Sequence, residues 1–146
     1  FFAVLLAPTL FLTSNILIYD ELDFDSFMKF GPINFLFIGT LICYGNRKSV
    51  TVRNESMKTW SLAALLGKQD SFRALFLVIT YCYLHGIIES INELSSKHLI
   101  PPMAMSYLFF RVLKKFKGED FDASYSTMWV CYILFSGAFI VCSLLV

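Results

Sequence analysis

A polytopic, all-α membrane protein with short loops is the fold class this sequence predicts, and three observations carry it. Of its 146 residues, 57% are hydrophobic and only 16% are charged, with a mean hydropathy of +0.65. Soluble domains average roughly 45–50% apolar and about 25% charged residues, so both figures depart in the same direction. Charge-free apolar runs recur along the chain at lengths near the ~20 residues that cross a bilayer. Finally, basic residues gather in alternate loops, as a chain that crosses repeatedly requires. The low charge excludes a disordered chain, and 12 basic against 11 acidic residues leave no global field to attract nucleic acid.

The runs predict the elements in order. Residues 1–19 carry no charge and are just long enough to cross a ~30 Å hydrocarbon core at 1.5 Å per residue. Pro8 should kink this first span by removing a backbone donor. A second span is expected at 30–46, a third at 74–92 and a last at 123–146. The run at 98–113 is shorter and opens with Pro101-Pro102, so length alone makes it interfacial and leaves four spans. Between the second and third spans, residues 59–67 fit an amphipathic helix at headgroup level, anchored by Trp60 and stopped by Gly67. No repeat or linker divides the chain, so 1–146 reads as a single membrane domain.

Loop charge decides the status of 98–113. The loop at 20–29 holds Asp20, Glu21, Asp23 and Asp25 against Lys29, and the third loop holds Glu89 and Glu93 against Lys97. Between them lie Arg47, Lys48, Arg53, Lys58, Lys68 and Arg73, and beyond them Arg111, Lys114, Lys115 and Lys117. If 98–113 crosses, both basic groups share one side; if it does not, the second group joins the acidic loops. About five spans is therefore the expected count, with the N-terminus on the basic side. The sequon Asn54-Glu55-Ser56 then lies on the untranslocated side and stays unmodified. Arg111, Lys114, Lys115 and Lys117 set topology and are also the residues expected to meet lipid headgroups, so bound phospholipid is expected.

Few residues carry chemistry. Cys43, Cys82, Cys131 and Cys142 form no CxxC pair and no Cys/His ladder, so they read as small buried apolar residues, and no metal site is assigned. No phosphate loop, HExxH or Ser/His/Asp arrangement is present, so no catalytic residue is assigned either. Small residues at Gly39 and Cys43, and at Ala138 and Cys142, have the spacing that permits close helix contact, and Asn34 should bond to a neighbouring helix.

The third span is the most informative. Tyr81, His85, Glu89 and then Asn92 or Glu93 recur at helical spacing and share one face. Ionisable residues within a span are expensive and face protein or water. His85 and Glu89, at i and i+4, are placed to hydrogen-bond. The functional reading is a haem or quinone contact through His85, with Tyr81 and Glu89 beside it; the structural reading, which we expect, is an interhelical hydrogen bond. Gly86 followed seven residues later by Glu93 resembles part of a span in the membrane anchors of succinate dehydrogenase, which implies a haem or quinone near this helix. The histidine of that pattern would fall at Cys82, whereas here it stands at His85.

Three functions remain. A structural or accessory subunit of a larger membrane complex is expected first, because the loops are short and the chain carries 16 Phe and 7 Tyr that offer surface to other helices. A quinone- or haem-contacting anchor of a respiratory dehydrogenase is second, and a small transporter or channel subunit third. The expected partners are other integral membrane subunits and lipids. Abundant Phe, Ile, Leu and Tyr with little Ala, Gly, Pro and Arg is what an A/T-rich coding sequence yields. With an N-terminus read as either processed or cut, this points to the mitochondrial inner membrane and a respiratory, electron-transporting assembly; the endoplasmic reticulum is the alternative.

Overall fold

The computed structural model describes residues 30–51 and 62–144, with side chains for 30–47 and 66–142. The expected span at 1–19, Pro8, the acidic loop at 20–29 and the sequon at Asn54 lie outside the described residues. Every described element is helical: α1 Gly31–Thr51, α2 Leu62–Asn92, a 3-10 turn Ser96–Leu99, α3 Ile100–Ala104, α4 Ser106–Lys117 and α5 Phe121–Leu144.

Helix α2 is interrupted at Gly67, whose φ of 72° and ψ of 172° belong to a backbone region open essentially to glycine. Residues 62–66 are therefore a separate turn, ended by the glycine expected to end it; 59–61 lie outside the described residues. Beyond Gly67 the helix starts earlier than the apolar run does. Lys68, Gln69 and Arg73 are good helix formers, and the charge-free criterion measures apolar length and not helix length.

The stretch at 98–113 is not one helix. Pro101 and Pro102 occupy the first positions of α3, where a missing N–H leaves nothing unpaired. The chain turns at Met105 and restarts as α4. With twelve residues, α4 rises about 18 Å, short of a ~30 Å core. Among the described residues two helical stretches are long and apolar enough to cross a membrane: Leu66–Asn92, with 27 residues, and Phe121–Cys142, with 22.

Contacts along the helices define an up-down-up-down bundle. The carbonyl of Pro32, at the start of α1, lies 3.9 Å from the Cys82 thiol near the end of α2, while Gly39 sits against Leu75 and Val78. At the other end of α1, Arg47 pairs with Asp122 at the start of α5, and Phe30 meets Phe139 far along it. Tyr83 and Ser106 share a 2.6 Å hydrogen bond, and Phe116, ten residues on, meets Phe72. Helix α4 thus runs back along α2 toward its start, and α5 returns. Arg47, Lys68, Arg73, Lys114, Lys115 and Lys117 consequently gather at one end of the bundle, and Glu89, Glu93 and Lys97 at the other.

The inward stripes repeat at alternating three- and four-residue spacing: Leu36, Gly39, Cys43 and Asn46 on α1; Ser71, Leu75, Val78 and Cys82 on α2; Ser124, Met128, Cys131 and Phe135 on α5. Leu36, Leu75, Phe109, Val112, Phe116, Met128, Cys131 and Phe135 are each at most 2% exposed and form the centre. All four cysteines are buried free thiols. Gly39 and Cys43 lie where three helices meet: a Cβ at 39 would stand 2.5 Å from Met128 Cε, and the Cys43 thiol is 3.6 Å from Ser124 Oγ. Small residues there permit this approach.

Both α2 and α4 end in a Schellman motif. The N–H of Ser95 donates to Ser90 O and that of Leu94 to Ile91 O; the N–H of Asp120 donates to Lys115 O and that of Glu119 to Phe116 O. The left-handed position is filled by Leu94 at φ 50° and by Glu119 at φ 66°, where glycine is usual. Asp120 then starts α5, accepting the Ala123 N–H at 3.2 Å.

Candidate functional site

The end of the bundle formed by the start of α1 and the last turns of α2 and α5 holds the residues singled out on the third span. His85 is only 8% exposed, and its ring lies 6.0 Å from that of Tyr81 and 6.2 Å from that of Phe139. Tyr81 faces outward from there, its ring 4.5 Å from Phe35, and lines an apolar groove of about 490 Å³ between α1 and α2, together with Ile42, Val78 and Leu84. Glu89 stands one turn beyond His85, half-exposed near the helix end. The helix thus keeps the three on one flank, but they do not converge on one cavity: the imidazole is turned into the bundle and the phenol toward the groove.

A histidine–carboxylate pair is formed nearby by His98 and Glu93. His98 in the 3-10 turn lies 2.7 Å from a Glu93 carboxylate oxygen, and Lys97 reaches the same oxygen at 3.1 Å. Hydrogen bonds from His98 and Lys97 pull the Glu93 carboxyl down to about 2, from 4.5. His98 is itself buried, and its backbone crosses tightly over α2: a Cβ on Gly86 would stand 2.8 Å from its carbonyl oxygen. The pairing spans a helix end and a turn, a separation of five residues for which helical periodicity gives no signal. The usable signal was the acid–basic–histidine composition of 93–98 just before Pro101-Pro102.

His85 sits between the Tyr81 and Phe139 rings, and a haem iron bound there would be ligated through a ring nitrogen in the imidazole plane. Among the described residues no group of three or more His, Cys, Asp or Glu is placed to hold a metal ion.

The basic end divides the expected headgroup residues. Lys115 is tied to Asp120 at 3.0 Å. This bond, with the Ala123 N–H, lowers the Asp120 carboxyl below its usual range. Arg111 and Lys114 lie on the exposed side of α4. Lys117 faces a groove of about 360 Å³ with Lys68, Gln69, Phe72 and Phe116. Lys68 and Gln69 join Lys117 there because α4 runs back along α2 and ends beside its first turn after Gly67.

No protein-family model, curated protein or solved structure was found to match this chain. The class the geometry defines is therefore a described helical bundle with two helices capable of crossing a membrane.

Proposed function

We propose that this chain is a structural or accessory subunit of a larger assembly of integral membrane proteins, crossing the bilayer about five times. One observation carries the reading: large apolar side chains cover the outside of the bundle as well as its centre. Interior positions include Gly39, Thr40, Cys43, Asn46, Ser71 and Ser124, whereas Leu77, Leu84, Ile91, Phe110, Ile133 and Val141 stand exposed. In water, so much outward apolar area is untenable, while in lipid it is solvated and small interior residues give close helix contact. Some helix hydroxyls are satisfied locally: Thr40 donates to Phe37 O at 2.6 Å and Thr80 to Phe76 O at 2.9 Å.

Association with other subunits is supported by the outward aromatic and apolar area, including Phe76, Tyr107 and Phe110, which offers contact surface to other helices. The mitochondrial inner membrane, and a respiratory assembly within it, are proposed on the amino-acid usage alone. Purification of the full chain from its native membrane in mild detergent tests the reading. The expected result is co-elution with other membrane proteins in fixed proportion, at a mass above the monomer's. A monodisperse, well-folded monomer would overturn it, as would release of the chain by alkaline carbonate.

A further inference from the structure

We propose that the groove between the start of α2 and the end of α4 is a binding site for the headgroup of an anionic phospholipid. The inference rests on the chain being integral to a membrane and adds a defined ligand class to that reading. The floor of the groove is aromatic: the half-buried Phe72 lies against the fully buried Phe116, ring centroids 6.2 Å apart. Its rim is polar, formed by Lys117, the carboxamide of Gln69 and Lys68, whose ammonium also pairs with Glu119. A diester phosphate on Lys117 and beside Lys68, with its glycerol ester region on Phe72, would satisfy both surfaces.

Charge accounting at this end favours an anion. Its described carboxylates are already engaged: Asp122 by Arg47, Glu119 by Lys68, Asp70 by Arg73 at 2.9 Å and Asp120 by Lys115 at 3.0 Å. No described carboxylate pairs with Lys114 or Lys117, and only Lys117 faces the groove. Position agrees as well, since Lys68 lies in the first turn of the α2 stretch that is long enough to cross a membrane, at the basic end of the bundle. A free phosphate would use the rim and gain nothing from Phe72. A phosphatidylcholine would bring its own cation against Lys117.

Native mass spectrometry of the full chain, titrated with phosphatidylglycerol, phosphatidylcholine or inorganic phosphate, tests the proposal. Phosphatidylglycerol should be retained in preference to phosphatidylcholine, and millimolar inorganic phosphate should not displace it. A lysine near an anionic headgroup contributes enough that Lys117→Gln should weaken phosphatidylglycerol binding about five-fold. Lys117→Arg should retain it. Lys114→Gln, the same loss of charge outside the groove, should change it less than about two-fold. Equal retention of the two lipids, equal losses for the two glutamine variants, or displacement by inorganic phosphate would each overturn the site. None of these results touches the membrane reading, which alkaline extraction tests separately.

Discussion

Three glycines, each replaced by alanine, give a graded test of how tightly this bundle is built. In a helix interior, alanine is favoured over glycine by ~1 kcal/mol through backbone entropy alone. At Gly137 nothing lies within 4 Å of an added Cβ, so the gain should appear in full. At Gly39 the first obstacle is Met128 Cε at 2.5 Å, followed by Leu75 and Val78 atoms at 3.4 Å. Met128 is unbranched and its terminal methyl can swing aside, so most of the gain is offset and stability should stay near that of the parent. Gly86 is different in kind. Its new methyl would meet the His98 carbonyl oxygen at 2.8 Å and Pro102 Cγ at 3.3 Å, one a backbone atom and the other part of a ring. Neither can rotate away, so the turn at Ser96–Leu99 must lift from α2. Overpacking of this type costs ~1–3 kcal/mol, which leaves a net loss after the propensity gain and pulls His98 from Glu93. At about 3–4 °C per kcal/mol, Gly137→Ala should melt a few degrees above the parent and Gly86→Ala several degrees below it. Circular dichroism melts in one detergent would read the order directly. A Gly86→Ala protein as stable as Gly137→Ala would refute the close crossing of the turn over the helix.

Four further outcomes are expected. Phe135→Ala, in a side chain 1% exposed and stacked on Phe139, should lose ~3–5 kcal/mol in denaturant or thermal unfolding. Leu94→Gly should gain ~1 kcal/mol by relieving a left-handed leucine that is 95% exposed; a loss would mean that its side chain has an anchoring role. Because the folded carboxyl of Glu93 sits near 2, below its ordinary 4.5, its stabilisation is complete above about pH 4.5 and fades as pH falls toward 2. Melts between neutral pH and about pH 3 should show that loss in the parent and a smaller one in Glu93→Gln. Single cysteines placed at Ser49 and Ser95 should react with an impermeant maleimide from opposite faces of the membrane, and labelling of both from one face would remove the topology.

The sequence announced the helical class and much of the element order, and its failures are local. The run at 123–146 marks the start of α5 to within two residues because apolar residues fill it. The run at 74–92 understates α2, since Lys68, Asp70 and Arg73 interrupt hydropathy without interrupting the helix. The run at 98–113 hides a turn, a five-residue helix and a restart at Met105, because hydropathy does not register where a proline pair begins a helix. At the candidate site, periodicity placed Tyr81, His85 and Glu89 on one flank and gave no sign of the Glu93–His98 pair. Glu93 and His98 meet only because Leu94 reverses the chain, and a leucine in a left-handed turn has no sequence signature.

The three-residue turn between α4 and α5 has a consequence for the order in which the protein is made. Gly118, Glu119 and Asp120 close α4 and open α5 with bonds drawn almost wholly from the two helices they join. Helix α4 alone has one apolar face and a basic one, so it cannot leave the aqueous side of a translocation channel by itself. Once α5 has emerged, Phe109, Val112 and Phe116 gain a covering surface in Phe121, Ser124 and Phe135. The two would then enter as a hairpin. Low sequence separation makes this step fast. Lengthening the turn would uncouple the pair and leave α4 waiting outside, exposed to proteolysis, while the earlier helices stood without their fourth wall.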